Sequence, residues 1–184
     1  VVVGAGPTGI EFSGALPGYI HKLMHKYSIG RKAVRVELIE ARPNILPALP
    51  PKVSKAVKKR LRKLGVKVVT GATVEGETQD ALLVDGKKIE SKTVIWSAGI
   101  ANNPFFANNK FELSPRGKVV VDEYLSVGND IYVIGDNAET KYSGMAQTAL
   151  HDAVTVSQNL IRQYKGEELC PYKVRKPIYI IPVG

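Results

Sequence analysis

A glycine-rich turn near the start of the chain constrains its fold more than any other feature. Residues 4–9 read Gly-Ala-Gly-Pro-Thr-Gly, a G-x-G-x-x-G pattern between the apolar residues 1–3 and a helical periodicity over residues 8–27. A strand that enters a helix through such a turn begins a nucleotide-binding βαβ unit, in which the glycines allow a tight turn, close approach of a pyrophosphate and close packing of the helix. We therefore predict a dinucleotide site that contains Gly4, Gly6, Pro7, Thr8 and Gly9.

The helix after this turn raises two further points. Pro17 and Gly18 lie inside its periodic pattern, so we expect a kink or a break there. Glu11 is expected in the first turn of the helix, where a carboxylate complements the positive end of the helix dipole. The same side chain is also placed to reach the nicotinamide end of a bound cofactor, and the sequence leaves both roles open.

An acidic residue ends the second predicted strand. Residues 34–39 are the second predicted strand and are followed directly by Glu40, the position at which this fold binds the adenosine ribose. A carboxylate there accepts hydrogen bonds from the ribose hydroxyls and repels a 2′-phosphate, so we predict a preference for NADH over NADPH. Arg42 is the one nearby feature that would weaken this preference. Glu37 has the same chemistry but points to the other face of the strand.

The remaining pattern predicts an α/β fold, a doubly wound parallel sheet of the Rossmann type with a β-meander excursion, over residues 1–102. A basic helix (52–64), a strand (66–70), short β segments on either side of an Asp85-Gly86 hairpin turn and a strand (93–96) follow one another. After Asn102-Asn103-Pro104 the chain becomes polar and loop-like. We then predict strands at 118–121 and 131–134, a helix at 145–164 and β structure from Pro171.

The net charge of +9 is concentrated in the basic helix, which contains no acidic residue. Such a helix is either a solvated surface element or a face attracted to an anionic membrane or an acidic partner. Nucleic acid is disfavoured because no aromatic residues interleave with the cations. The single Cys170 excludes a disulfide framework and a four-ligand zinc site within the chain, and no metal site is expected.

Four stretches, taken together, resemble the flavoproteins that have two dinucleotide-binding domains, and most of all the type II NADH dehydrogenases. They are residues 4–11, 93–99, 131–136 and 146–149. The resemblance implies that the first stretch binds NADH and that Ala98 and Gly99 close over its nicotinamide side. It also implies that Gly135 and Asp136 hold the ribityl chain of FAD. Ala146 and Gln147 would line the face where flavin and quinone meet, although His151 stands where that family usually has a glutamine.

The resemblance further implies hydride transfer from NADH to FAD, followed by electron transfer to a quinone. The flavin supplies this chemistry, so we expect no side chain to be catalytic. Residues 103–165 would be the returning part of an FAD domain, and residues 166–184 the start of a C-terminal β segment. We find no second glycine-rich turn, so we expect an internal piece of a longer protein that is inactive alone and binds FAD only together with an N-terminal domain.

The intact protein is expected to be cytoplasmic and peripheral to the inner face of the membrane, and the piece to self-associate through apolar surface. Two alternatives remain open. One is another flavoprotein of the same build, such as a disulfide reductase, an NADH oxidase or a ferredoxin reductase. The other is an NAD(H)-sensing module without chemistry, against which Gly135-Asp136 followed by Ala146-Gln147 argues.

Overall fold

The computed structural model describes residues 1–30, 34–99, 101–128 and 130–184. These residues form two compact units, one made of Val1–Gly99 with Ile180–Gly184 and the other of Ile100–Tyr179. Each unit is described by itself below. In the described ranges, no helix combines the length and the apolar character needed to cross a bilayer.

The first unit is built on a parallel sheet of four strands. In chain order these are β1 (Val2–Val3), β2 (Glu37–Glu40), β3 (Lys67–Thr70) and, after an excursion, β7 (Ile95–Trp96), and they lie side by side in the order β3-β2-β1-β7. Helix α1 (Pro7–Lys26) connects β1 to β2, and helix α2 (Pro51–Lys63) connects β2 to β3. The predicted α/β fold with a parallel sheet is confirmed.

The excursion between β3 and β7 is a three-stranded antiparallel sheet of β4 (Val74–Glu77), β5 (Ala81–Val84) and β6 (Lys87–Glu90). Asp85 and Gly86 join β5 to β6 with φ values of 46° and 71°. Two successive positive φ angles are the signature of a type I′ turn, which suits the twist of a hairpin. The hairpin expected from Asp85-Gly86 is therefore confirmed.

Strand β2 is buried on both faces, which places the parallel sheet in the middle of the unit. Leu38 belongs to an apolar cluster with Ile10 of α1 and Leu61 of α2. Its neighbour Ile39 points the other way and packs in a second cluster with Leu82 of β5. The helices thus cover one face of the sheet and the antiparallel excursion covers the other, as central strands of a parallel sheet require.

Helix α1 departs from two sequence predictions. Of the kink or break predicted at Pro17-Gly18, the break is absent, because the helix runs unbroken from Pro7 to Lys26 with Pro17 inside it. A proline inside a helix costs about 3 kcal/mol, and burial of Gly9, Ile10 and nearby residues in the first half of α1 offsets that cost. Glu11 is the fifth residue of α1 and the first turn contains no acid, so its predicted place in the first turn is wrong.

The second unit contains little regular structure besides its helices. Helix α3 (Pro104–Asn108), a 3₁₀ turn (Gly135–Asn137) and helix α4 (Ala146–Lys165) are joined by irregular chain. Helix α3 was not predicted, because Asn102-Asn103-Pro104 suggested a loop. Asn103 is instead its N-cap and accepts a hydrogen bond of 2.9 Å from the N–H of Phe105, and Pro104 occupies the first helical position.

The strands predicted at 118–121 and 131–134 do not form. Val119 makes isolated bridges to Leu113 and Ala138, and Tyr132 bridges Ser126. Val119, Val133 and Ala138 are nevertheless buried together in a small core. The apolar pattern therefore predicts burial correctly, but a strand also needs a neighbour that pairs with it along its whole length.

Residues 167–184 contain no strand, in contrast to the predicted β structure. Side chains of α4 hold this tail instead, because each of them hydrogen-bonds to its main chain. Asn159 pairs with Cys170 through two bonds of 2.9 Å, His151 lies 2.8 Å from the carbonyl of Lys173, and Gln147 pairs with Ile178 through two bonds of 3.1 Å. Prolines in the tail remove the N–H donors that a sheet would need.

Candidate dinucleotide site and its relatives

Gly4 lies where the carboxyl ends of three parallel strands meet. Its N–H donates to the carbonyl of Ile39 at 2.8 Å, and on the other side the N–H of Ser97 donates to the carbonyl of Val3 at 2.9 Å. Gly4 has φ = 97°, and a Cβ atom there would lie 2.7 Å from the Cβ of Ala98. Both the backbone angle and the close approach of Ala98 therefore require glycine.

Glu40 faces this turn and touches it. Its Oε2 atom accepts a hydrogen bond of 2.7 Å from the N–H of Ala5, and its Oε1 atom accepts one of 2.9 Å from the N–H of Arg42. Arg42 also lines a cavity of about 330 Å³ along the loop that follows. Glu40 thus lies beside the glycine turn, where the sequence placed it.

Glu37 is excluded as a rival acceptor. It is 1% exposed and forms ion pairs with Arg35 at 2.5 Å and with Lys67 at 3.1 Å. The three-residue spacing from Glu40 places it on the opposite face of β2, as the strand alternation predicts.

The other two glycines of the turn have opposite surroundings. A Cβ on Gly9 would lie 1.9 Å from the carbonyl oxygen of Gly4, so α1 packs directly on the turn. A Cβ on Gly6 would meet no atom within 4 Å. Gly6 is the N-cap of α1 without a side-chain cap, and Pro7 and Thr8 are exposed. The N-terminus of α1 is therefore open, as a site for an anion requires.

The residues predicted on the nicotinamide side follow strand β7. Ala98 and Gly99 are exposed, and Ala98 lies against Gly4. Glu11 is half-buried on α1. Trp96 at the end of β7 is 50% exposed, and its indole N–H donates to Glu77 of β4 at 3.0 Å.

In the second unit, Gly135 and Asp136 form a turn that a buried side chain of α4 fixes. The N–H of Gly135 donates to Oδ2 of Asp152 at 3.0 Å, and Asp152 is fully buried. Gly135 has φ = 64°, and its Cβ would lie 3.2 Å from that of Ala149. Asp136 is exposed, so its carboxylate can meet a ligand, while the main chain of the preceding Gly135 is fixed by Asp152.

A cavity of about 90 Å³ adjoins this turn and is lined by Asp136, Asn137, Lys118, Arg116 and other residues. Burial lowers the pKa of Lys118, and the nearby Asp136 carboxylate partly offsets that effect. The Lys118 ammonium donates to the hydroxyl of Ser143 at 2.8 Å. Arg116 forms an ion pair with Glu139, which lowers the pKa of Glu139.

Ala146 and Gln147 begin α4 and are exposed. Both ends of the Gln147 amide are bonded to the main chain of Ile178, so this side chain fixes the tail. His151, one turn further on, bonds to Lys173 and lies 5.4 Å from the Tyr172 ring between centroids. Burial raises the pKa of Tyr172 to about 12, and hydrogen bonding to Asp152 acts in the same direction.

Sequence reasoning missed two residues that support these turns. Ser97 contacts the glycine turn through its hydroxyl group, and Asp152 holds Gly135. Ser97 is a polar residue at the carboxyl end of a strand, and the same signal identified Glu40. Asp152 gave no such signal, because its role depends on how α4 packs.

Strand order, glycine turn and acidic strand end are together the features of the dinucleotide-binding class of α/β folds. The pyridine nucleotide-disulphide oxidoreductase family matches residues 1–153 of the 184, and the chain belongs to that family.

Two curated relatives illustrate the similarity. The chain is 38% identical over 139 residues to the internal alternative NAD(P)H-ubiquinone oxidoreductase A1, mitochondrial, of Arabidopsis thaliana, which covers 74% of this chain and 27% of the relative. It is 32% identical to the type II NADH:quinone oxidoreductase Ndh of Mycobacterium tuberculosis, with 90% of this chain and 39% of the relative covered. The chain thus spans less than half the length of these relatives.

Solved structures agree with the family. The structure of NDH2 from Plasmodium falciparum in complex with NADH has a TM-score of 0.63 and 27% identity, and covers 74% of this chain and 31% of that one. A NAD-dependent persulfide reductase from A. fulgidus has a TM-score of 0.72 at 24% identity, and covers 98% of this chain and 33% of that one. The second likeness concerns the fold alone.

Proposed function

We propose that this chain supplies the NADH-binding portion of an FAD-dependent NADH dehydrogenase, which transfers a hydride from NADH to the flavin and electrons onward to a quinone. The observation that carries the proposal is the contact between the Glu40 carboxylate and the Ala5 N–H, beside a helix N-terminus that is open at Gly6. Names of relatives that include NADH, ubiquinone and quinone support the same reaction.

NADH binding would use the described contacts as follows. The Glu40 carboxylate accepts hydrogen bonds from the adenosine ribose hydroxyls, and its negative charge repels a 2′-phosphate. The pyrophosphate lies over Gly6, where the N–H groups at the start of α1 and its dipole favour an anion. Pro7 has no N–H, so the donors are those of Gly6, Thr8 and Gly9. Ala98, Gly99 and Glu11 would then face the nicotinamide side.

The turn at Gly135 and Asp136 fits a flavin. Asp136 is an exposed carboxylate on a backbone that Asp152 fixes, and it can accept hydrogen bonds from ribityl hydroxyls. Ala146 and Gln147, at the exposed start of α4, would lie on the flavin and quinone side. A flavin bound there would supply the hydride-transfer and electron-transfer chemistry. The residues of this chain bind and orient the two cofactors. We therefore assign none of them as an acid, a base or a nucleophile.

A reductive titration tests this proposal on the flavoenzyme that contains the chain. Without oxygen, NADH should bleach the visible flavin absorbance, and a soluble quinone should restore it. NADH binding without bleaching would contradict the proposal and favour a sensing module. Recovery with a disulfide, oxygen or ferredoxin but not with quinone would identify another reductase of the same build.

We also propose peripheral contact with an anionic membrane at its inner, cytoplasmic face, through the cationic face of α2. This face consists of exposed cations on the side away from the buried Ser54 and Leu61. Its members are Lys52, Lys55, Lys59, Arg62 and Lys63. Each cation near such a surface contributes about 1 kcal/mol, so a face without acids gains from all of them at once.

Vesicle sedimentation tests this contact. We expect binding to vesicles with anionic lipid, little binding to zwitterionic vesicles, and a large loss on Lys55→Gln, Lys59→Gln and Arg62→Gln together. The matched control replaces Lys87, Lys88 and Lys92, which are also exposed, with glutamine. Equal losses in both triple variants would show only an effect of net charge and would contradict the assignment to α2.

The outer face of α4 supports self-association. Its apolar residues repeat at helical spacing and include Leu150 (69% exposed), Val154 (53%), Ile161 (56%) and Tyr164 (93%). They lie opposite the buried Thr148, Asp152, Val156 and Asn159. Because an exposed stripe of large apolar side chains marks an interaction surface, we expect concentration-dependent association in sedimentation equilibrium. A monomer at all concentrations would contradict it.

A further inference from the structure

The hydroxyl of Ser97 is directed at the glycine turn from the side opposite Glu40. Its Oγ atom lies 2.9 Å from the carbonyl oxygen of Val3 and 3.0 Å from that of Gly4. A serine hydroxyl has one proton and both partners are acceptors, so the two carbonyls share that proton. Val3 also accepts from the main-chain N–H of Ser97. The distinctive contact of the hydroxyl is therefore with Gly4.

Strand register explains this placement. Val3 of β1 pairs with Trp96 of β7, so the residues that follow the two strands, Gly4 and Ser97, come to lie side by side. Val3 pairs with Ile39 on the other side, which brings Glu40 beside Gly4 as well. The turn is therefore flanked by one side chain from each neighbouring strand.

These two side chains hold opposite ends of one peptide group. The carbonyl of Gly4 accepts from Ser97, and the N–H of the same peptide bond, which belongs to Ala5, donates to Glu40 at 2.7 Å. A peptide group is planar, so fixing its oxygen on one side directs its N–H to the other. Ser97 and Glu40 are thereby coupled through the Gly4–Ala5 peptide, although they do not touch.

A restraint of this kind has a physical purpose here. Glycine has access to far more backbone conformations than other residues, and the turn contains Gly4 and Gly6 only two positions apart. Atoms of the turn surround the hydroxyl closely, because a Cβ on Gly9 would lie 2.6 Å from the Ser97 Oγ. Removing the hydroxyl oxygen of Ser97 is therefore enough to release the Gly4 carbonyl, and no substitution within the turn itself is needed.

We propose that Ser97 is a positioning residue of the dinucleotide site. It fixes the Gly4–Ala5 peptide so that the Ala5 N–H keeps the Glu40 carboxylate in place for the ribose, while the following N–H groups stay directed at the pyrophosphate. This inference depends on the proposed function, in which the turn binds NADH. It adds a residue that acts through the main chain rather than by contact with the cofactor.

The test measures the dissociation constants of NADH and NADPH for wild type and Ser97→Ala, well below the melting temperature of each. A net hydrogen bond is worth about 1 kcal/mol, so NADH should bind about fivefold more weakly. Because Glu40 loses its fixed position, the ratio of NADH to NADPH affinity should also fall. A purely structural role would lower the melting temperature and leave that ratio unchanged.

Two further variants keep the result interpretable. Ser97→Thr retains the hydroxyl and should restore both affinity and cofactor preference. Ser91→Ala is the matched control, since the Ser91 hydroxyl also donates to a main-chain carbonyl, that of Thr93 at 2.9 Å, away from the glycine turn. It should leave NADH binding unchanged. If Ser97→Ala does not fold, Ser97→Cys, with a similar shape and a weak donor, replaces it.

The outcomes separate this inference from the proposed function. If wild type fails to bind NADH, the proposed function is wrong. If wild type binds NADH and Ser97→Ala binds it equally well with the same preference over NADPH, the role of Ser97 is overturned while the site stands.

Discussion

The buried carboxylate of Asp152 accepts a hydrogen bond from the main-chain N–H of Gly135, with 3.0 Å between Oδ2 and N. This contact joins α4 to the turn whose next residue, Asp136, is exposed. The geometry of the exposed carboxylate therefore depends on a buried one.

Replacing Asp152 with alanine should destabilise the second unit. The N–H of Gly135 would lose its acceptor in a buried place, and an unsatisfied buried donor costs about 1–3 kcal/mol. Urea denaturation should show this as a lower midpoint than wild type. Glu168→Ala, at an exposed position, is the control and should leave the midpoint unchanged. Equal midpoints for Asp152→Ala and wild type would show that the contact does not stabilise the turn.

Alanine at Gly6 and at Gly9 should separate binding from folding. A Cβ on Gly9 would overlap the Gly4 carbonyl oxygen at 1.9 Å, so Gly9→Ala should disrupt the packing of α1 and lower the melting temperature. A Cβ on Gly6 meets nothing within 4 Å, so Gly6→Ala should fold normally. It should nevertheless weaken NADH binding, because the methyl group would occupy the space of the pyrophosphate.

Circular dichroism and an NADH titration on both variants check this pair. Unimpaired NADH binding by Gly6→Ala would argue against a pyrophosphate over Gly6. Full stability of Gly9→Ala would argue against the close packing of α1 on the turn.

Stability should fall at alkaline pH because of Tyr172. Burial, followed by hydrogen bonding to Asp152, raises the pKa of Tyr172 to about 12 from an ordinary value of 10.0. The folded state thus holds the phenol proton more tightly than the unfolded state does, so the stabilisation is complete below pH 10 and is lost as the pH rises towards 12.

Thermal melts of wild type and Tyr172→Phe across this pH range measure the effect. The difference between their melting temperatures should change between pH 10 and 12, whereas Tyr164→Phe, at a side chain 93% exposed, should track wild type. A constant difference would mean that the Tyr172 proton is not linked to folding.

Local sequence pattern was enough to predict that the glycine turn and Glu40 lie together, but not which residues support the turn. The glycine turn and Glu40 follow from strand ends that are visible in the sequence, and the sheet order brings them together. The coupling through Ser97 depends on the register of β7 against β1, which is a property of two distant segments. The apolar residues of 118–121 and 131–134 predict strands there, and several of them are indeed buried. No strand forms in either of these described runs, because strand pairing depends on neighbouring segments that a local pattern does not contain. Pro17 shows the reverse case, in which packing outweighs a local preference.

Titration of the purified protein with NADH and with NADPH tests the central claim most directly. The account predicts saturable binding of NADH at one site, weaker binding of NADPH, and a reduced difference between the two in Glu40→Gln. Absence of saturable NADH binding, or tighter binding of NADPH than of NADH by wild type, would contradict it.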